Sequence, residues 1–154
     1  MTPRRAKALP LPAVDTARVF RDADYAALAQ FRYELRKFLA FSERAAREEG
    51  LTSQQHQALL AIKGFSLDHP LSVGDLAKYL LIQNHSAVEL VDRMSKLGLL
   101  VRATDPGDGR RILVRLSAEG DRRLKRLSKA HLDELGAAGT ALAERLAHFR
   151  EQQE

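Results

Sequence analysis

The fold of this chain is decided by residues 76–120, LAKYLLIQNHSAVELVDRMSKLGLLVRATDPGDGRRILVRLSAEG. A short helical pattern opens the stretch and breaks at residues 81–83. The apolar positions of a second helix then recur every three or four residues, at Ala87, Leu90, Val91, Met94 and Leu97. Gly98 follows the last of them, where a helix commonly ends in a left-handed residue. The spacing therefore predicts two short helices joined by a tight turn.

After Gly98 the apolar period changes from helical spacing to alternation. Leu100 and Arg102 stand two residues apart, as do Ile112, Val114 and Leu116, and this period of two predicts two short strands. Between them lies a turn-rich segment, Asp-Pro-Gly-Asp-Gly-Arg-Arg, at residues 105–111. A helix, a turn, a second helix and a hairpin with a basic tip form the plan of a winged helix-turn-helix DNA-binding domain.

The same stretch resembles the MarR family of bacterial transcriptional regulators. The family pattern is LAxxL, a turn, a helix ending LVDRLExxGLVxR, then DPxDxR, a strand and LTxxG. Its counterparts here are residues 76–80, 90–94, 98–102, 105–110 and 116–120, and an upstream LTxxQ matches residues 51–55. The resemblance implies a mainly α fold with a small β-hairpin wing, in which N- and C-terminal helices form a dimer.

Length and composition fit one such domain. The chain has 154 residues, 45% of them hydrophobic, which is ordinary for a globular protein. No apolar run approaches the ~20 residues of a membrane span, and the N-terminus lacks the apolar core of a secretory signal. We therefore expect a cytoplasmic protein without a membrane partner. Cysteine is absent, which excludes disulfides and thiolate metal sites, and a net charge of +5 is compatible with a nucleic-acid partner.

Four regions follow along the chain. Residues 1–13 contain three prolines and several basic residues, typical of a flexible arm, and residues 14–50 hold a long amphipathic helix that ends at Gly50. Residues 51–120 form the predicted winged helix-turn-helix domain, with Thr52 and Ser72 as helix N-caps. Residues 121–154 keep a near-heptad pattern interrupted at two glycines, 136 and 139, which predicts two helices or one kinked helix.

The apolar stripes of the two terminal helical regions need a partner surface. One interpretation is that both helices pack only against the central domain of their own chain. The alternative is an intertwined homodimer, which the family resemblance favours. Two winged units related by a two-fold axis would then reach successive major grooves of a pseudo-palindromic site in double-stranded DNA.

Residues near the start of the second helix of a helix-turn-helix normally face the major groove. Here they are polar and able to hydrogen-bond base edges: Gln83, Asn84, His85, Ser86 and Glu89. The neighbouring Val88 either touches a thymine methyl or is buried. Arg93, which we expect to pair with Asp92 in the same helix, suits the DNA backbone better than base edges. The alternative for the polar set is an ordinary solvated helix face.

The hairpin tip carries Asp108, Arg110 and Arg111. In the resembling family the D-x-R arginine enters the minor groove and the aspartate steadies the loop, which assigns these roles to Arg110 and Asp108. A narrow minor groove is strongly negative, which attracts a guanidinium held on a short loop. We expect Arg111 to lie on a phosphate. The alternative is a hairpin whose charged turn is merely solvated.

No catalytic pattern is present. The five histidines are scattered without metal-ligand spacing, and the glycines of the hairpin do not stand between a strand and a helix as in phosphate-binding loops. We therefore expect no enzyme activity, no metal and no cofactor. The remaining alternative to a DNA-binding regulator, for which repression is the expected direction, is a winged-helix protein-interaction module without specific DNA binding.

The family resemblance also implies a small aromatic or phenolic effector, bound between the dimer helices and the winged unit. The corresponding crevice would have an apolar lining with one polar group, formed by Phe31, Leu35, Phe38, His56 and Leu60. The alternative is that these five residues are simply packed core.

Overall fold

A computed structural model describes residues 20–151, which form five helices and a three-stranded sheet. The elements in chain order are α1 (Asp22–Glu48), α2 (Ser53–Phe65), β1 (Leu71–Ser72), α3 (Val73–Leu80), α4 (Asn84–Lys96), β2 (Leu100–Thr104), β3 (Ile112–Leu116) and α5 (Ala118–Glu151). This confirms the predicted fold class, mainly α with a small β wing. The predicted basic arm, residues 1–13, lies outside the described residues.

The long helices α1 and α5 pack along each other. Phe31 of α1 meets Phe149 of α5 edge to face at 5.9 Å between ring centroids. Of the two alternatives predicted for the C-terminal region, that of two separate helices is wrong, because α5 is one helix through Gly136 and Gly139. Each glycine costs a helix about 1 kcal/mol relative to alanine. Packing of α5 along α1 offsets that cost.

The predicted capping residues start α2 and α3. Thr52 Oγ1 accepts a hydrogen bond from the Gln55 amide at 3.1 Å, and the Gln55 side chain accepts one from the Thr52 amide at 2.9 Å. Ser72 and Asp75 make the same reciprocal pair at the start of α3, at 3.1 and 3.2 Å. Because both pairs satisfy amides that have no partner inside the helix, they fix where each helix begins.

Two features of the helix-turn-helix region were not predicted. Leu81 ends α3 in the left-handed region, with φ 55° and ψ 38°, a conformation that leucine rarely adopts. Gly98 ends α4 with φ 72°, as predicted. The second feature is β1, which pairs antiparallel with β3 and gives the strand order β1-β3-β2. The hairpin is therefore attached to the segment that leads directly into α3.

The elements from α2 to β3 are hereafter called the winged unit. The core lies where this unit meets the start of α5. Its largest fully buried side chains are Leu59, Ile62, Leu76, Leu90, Val91, Met94, Leu99, Val114 and Leu127. Gly120 packs against this core so closely that a Cβ atom built on it would lie 2.2 Å from the Leu99 carbonyl oxygen. Among the described residues, no helix is both long and apolar enough to cross a membrane.

Candidate nucleic-acid interface

Helix α4 has one buried face and one exposed face. Ala87, Leu90, Val91 and Met94 are buried against the core. On the other side the predicted base-reading residues Gln83, Asn84, His85 and Glu89 are exposed, Ser86 is half-buried, and Val88 is 43% exposed. The open alternative for Val88 is thereby resolved, since it lies on the exposed face. The first two turns of α4 present polar side chains on a rigid, well-packed helix.

The hairpin formed by β2, β3 and the loop between them is hereafter called the wing. Its loop is held in shape by its own hydrogen bonds. The Arg110 amide donates to Asp108 Oδ1 at 3.0 Å, and the Arg111 amide donates to the Asp108 carbonyl at 2.9 Å. At the base of the loop the Asp105 amide donates to the Arg111 carbonyl at 2.9 Å. Asp108 therefore accepts two hydrogen bonds within the loop, and the exposed Arg110 is carried on an ordered turn.

A cleft of about 510 Å³ separates the wing from α3 and α4 and joins the two predicted sites. Asn84 and Val88 of α4 line one side of this cleft, while Arg110 and Arg111 line the wing side. Arg102 of β2 lies in the same cleft and donates a hydrogen bond to Asp92 of α4. Sequence reasoning missed the role of Arg102, because its partner lies on a different element.

The ion pairs of α4 differ from the predicted one. Arg93 pairs with Glu89, at 3.8 Å between Nη1 and Oε2, and not with Asp92. The physical reason is helix geometry, since residues four apart lie on the same face and adjacent residues do not. Asp92 is instead taken by Arg102. Both carboxylates on the outer face of α4 thus have a guanidinium partner.

Arg111 is also paired within the chain. Its Nη2 lies 3.2 Å from Asp75 Oδ2 on α3, and its Nη1 lies 3.5 Å from Asp105 Oδ2 at the base of the wing. The pKa of Asp75 is lowered, first by the hydrogen bond from the Ser72 hydroxyl and then, among other causes, by the charges of Lys78 and Arg111. Asp75 therefore stays ionised at neutral pH beside the arginine.

The five residues predicted to line an effector crevice differ in their surroundings. Phe38 and His56 each contact the ring of His131, while Leu60 is 49% exposed. The cavity that Phe38 lines with Leu135 and Leu142 has a volume of about 20 Å³, little more than one water needs. Leu35 is half-buried, as is Phe31, which packs on α5. An effector that binds beside Phe38 would have to widen this cavity.

His56 is the buried polar residue of this region. Its side chain is almost fully buried, and Nδ1 has no hydrogen-bond partner within residues 20–151. Burial, the larger cause, and the charge of His131 lower the pKa of His56 from 6.5 to about 4. The imidazole is therefore neutral at physiological pH, and its unpartnered nitrogen is a place where a small ligand could hydrogen-bond.

The sequence is similar to those of known transcriptional regulators. Residues 49–111 match the sequence model of the MarR family. The transcriptional activatory protein BadR of Rhodopseudomonas palustris is 36% identical over 77 residues, 50% of this chain and 44% of BadR. The matched part thus spans less than half of the length of BadR.

Solved structures show the same fold. AbsC, a MarR family transcriptional regulator from Streptomyces coelicolor, superposes with a TM-score of 0.71 at 18% identity, over 89% of this chain and 93% of AbsC. The S. aureus MepR–DNA complex superposes with a TM-score of 0.59 at 18% identity, over 80% of this chain and 98% of MepR. The predicted resemblance to the MarR family is confirmed.

Proposed function

We propose, on the premise that residues 49–111 make this chain a member of the MarR family, that it regulates transcription by binding double-stranded DNA as a homodimer. The observation that carries the proposal is the cleft shared by the exposed start of α4 and the wing. Asn84 and Arg110 line it from opposite sides. A helix in the major groove and a wing reaching the adjacent minor groove need this relative placement.

The chemistry of the exposed residues suits base reading. The Asn84 and Gln83 amides match the donor and acceptor pair of adenine in the major groove, and Glu89 can accept from the cytosine amino group. Val88 is exposed enough to meet a thymine methyl. Arg93, four residues along the helix from Glu89, is suited to a phosphate and not to a base.

On the wing, the Arg110 guanidinium forms no ion pair with a carboxylate among the described residues. It is exposed on a turn that Asp108 holds in shape. A guanidinium in this state loses no internal partner when it enters a minor groove, whose negative potential is strongest in narrow A·T-rich segments.

The dimer part of the proposal rests on apolar side chains that the single chain leaves exposed on its two long helices. They are Tyr25, Leu28, Tyr33, Leu39, Leu132, Leu135 and Leu146. Burying apolar surface contributes about 25 cal/mol per Å², so a second copy covering these side chains would stabilise both chains. A two-fold pair of winged units would match a pseudo-palindromic operator.

One observation favours the second candidate, a winged-helix module that binds protein instead of DNA. The outer face of α4 carries internally compensated charge, with Glu89 paired to Arg93 and Asp92 to Arg102. A salt titration with random duplex DNA separates the two. Phosphate binding predicts that log K falls linearly with log salt, with a slope near −0.9 for each neutralised phosphate. Absence of binding at low salt would instead support the protein-interaction module.

We propose repression as the direction of regulation, because a dimer seated across a promoter blocks polymerase without further contacts. BadR carries the opposite description, an activatory protein. A reporter gene fused to a promoter that contains the protein's binding site distinguishes repression from activation. Repression predicts that removal of this protein raises reporter output, and a fall would show activation.

A small aromatic or phenolic effector is proposed for the junction of α1, α2 and α5. The support is the unpartnered Nδ1 of the buried His56, whose ring contacts that of His131. The His131 ring in turn contacts the rings of Phe38 and Phe41. A ligand hydroxyl could donate to His56 Nδ1. Titration of salicylate-like acids into the protein–operator complex tests this, and release of DNA at millimolar ligand is the expected result.

A further inference from the structure

Arg111 connects two parts of the winged unit that the chain separates by 36 positions. Its backbone closes the loop of the wing, donating to Asp108 and accepting from Asp105. Its side chain leaves the loop and reaches Asp75 on α3 at 3.2 Å, while Nη1 lies 3.5 Å from Asp105. The guanidinium therefore stands between a carboxylate of the wing base and a carboxylate of the helix-turn-helix.

Asp75 is a fixed anchor for this contact. Its Oδ2 accepts hydrogen bonds from the Ser72 hydroxyl at 2.7 Å and from the Ser72 amide at 3.2 Å. Ser72 itself belongs to β1, which pairs with β3 of the wing. The carboxylate position is thus set by the N-cap of α3, and Lys78, 3.6 Å from Oδ1, is its other cationic neighbour.

Arg110 and Arg111 are adjacent in the chain but differ in their surroundings. Arg110 is exposed without a carboxylate partner among residues 20–151, whereas Arg111 has two. A cation that already holds two carboxylates gains less from a phosphate than a solvated one, because those contacts must be given up. The strand β1, which joins the wing to the segment leading into α3, has two residues, so the Arg111–Asp75 contact adds a second connection between the wing and α3.

We propose that Arg111 is a positioning residue that locks the wing onto α3 through Asp75 and so aims Arg110 at the minor groove, in place of binding a phosphate itself. The inference rests on the proposed DNA-binding function. It gives Asp75 a role in DNA binding that a phosphate contact could not, because a carboxylate repels phosphate.

The direction in which Asp75→Asn changes the affinity for DNA therefore distinguishes a phosphate-binding Arg111 from a positioning one. If Arg111 binds phosphate, removal of the Asp75 charge releases the arginine and removes a repulsion, so DNA binding strengthens. If Arg111 acts through Asp75, the same change weakens binding. Asparagine can still accept the hydrogen bonds of Ser72, which keeps the N-cap of α3 in place.

The experiment uses one duplex that the parent protein selects from a random pool. It measures the affinity of the parent, Asp75→Asn, Arg111→Ala and the double variant for this duplex at several salt concentrations. We expect each single variant to bind about fivefold more weakly, the scale of one exposed ion pair. The double variant should lose about fivefold as well, and not the roughly twenty-five-fold of independent effects. The slope of log K against log salt should stay unchanged, because no phosphate contact is lost.

Thr52→Ala is the matched control, since it weakens a helix N-cap of the same kind, that of α2, and leaves the contacts of Ser72, Asp75 and Arg111 in place. It should lower the melting temperature without changing affinity for DNA. Tighter binding by Asp75→Asn, or a salt slope reduced by about 0.9 in Arg111→Ala, would overturn the proposal. A parent chain that binds no duplex overturns the proposed function, and the role of Arg111 falls with it.

Discussion

The imidazole rings of His56 on α2 and His131 on α5 lie 4.7 Å apart between centroids, where the winged unit meets the α1–α5 pair. His131 Nδ1 donates to the Leu127 carbonyl at 2.7 Å, and Nε2 lies 2.9 Å from the Ser42 hydroxyl. His56 Nδ1 is buried without a partner among the described residues. The site therefore favours the neutral form of His56, because protonation would place a charge where nothing solvates it.

Stability should fall as the pH falls from 6.5 to 4. The folded-state pKa of His56, about 4, lies below the ordinary value of 6.5, so the unfolded chain binds a proton here that the folded chain does not. The contribution is fully present above pH 6.5 and is lost progressively as the pH falls towards the folded-state value. Its full size is on the order of 3 kcal/mol. Urea unfolding at fixed protein concentration across this range measures it.

His56→Leu is the control for the pH dependence, because leucine has similar volume and does not titrate. The variant should lose most of the slope between pH 6.5 and 4. An equally steep slope in parent and variant would show that other groups are responsible.

Gly120→Ala should destabilise the fold by about 3 kcal/mol or more, because overpacking of a close backbone contact cannot relax easily. The added Cβ would lie 2.2 Å from the Leu99 carbonyl oxygen, which also accepts the hydrogen bond of the Ser117 amide. Gly136→Ala, on the same helix but in open space, should instead stabilise by about 0.5–1 kcal/mol. Thermal unfolding of both variants checks the prediction, and equal melting temperatures would contradict it.

Leu81→Gly should raise stability by about 0.5–1 kcal/mol, since glycine adopts the left-handed conformation without steric cost. Leu81 is 91% exposed, so its removal sacrifices almost no packing. Leu81→Ala keeps a Cβ at φ 55° and should give no such gain. Chemical denaturation compares the three chains. A glycine variant no more stable than the alanine variant would show that the strain is absent in solution.

Light scattering at micromolar concentration should give about twice the 17.2 kDa mass of the chain. Leu146→Asp should convert the dimer to monomer or unfold it, because an unpaired charge buried in an interface costs several kcal/mol. Leu146 is a partly exposed apolar residue of α5 in the single chain. Leu67→Asp, at an 86% exposed position between α2 and β1, is the control and should remain a dimer. A monomeric parent chain would refute the dimer.

The sequence predicted the features that depend on local chemistry. The capping pairs of Thr52 and Ser72, the glycine ends at Gly50 and Gly98, and the hairpin with its aspartate-led turn all follow from spacings of a few residues. These features can be predicted from the sequence because the interacting residues are neighbours in the chain.

The features missed by the sequence depend on distant partners. Arg111 and Asp75 lie 36 residues apart, and neither position predicts the other. Asp92 was expected to pair with its neighbour, but its partner Arg102 comes from the next element. A two-residue strand such as β1 has no period to detect, and the continuity of α5 through its glycines comes from packing on α1, which helix propensity does not include.

The central claim is that the wing and the start of α4 bind DNA together, and the affinity of Arg110→Ala for a duplex selected from a random pool tests it most directly. Arg115→Ala is the matched control, since Arg115 is exposed on β3 of the same hairpin but lines a different cleft, with Lys63 and Asp121. We predict that the Arg110 variant binds about ten- to a hundredfold more weakly, with the largest loss where the flanks are A·T-rich, while the Arg115 variant stays close to the parent. A parent chain that enriches no duplex, or an Arg110 variant that binds as tightly as the parent, would contradict the claim.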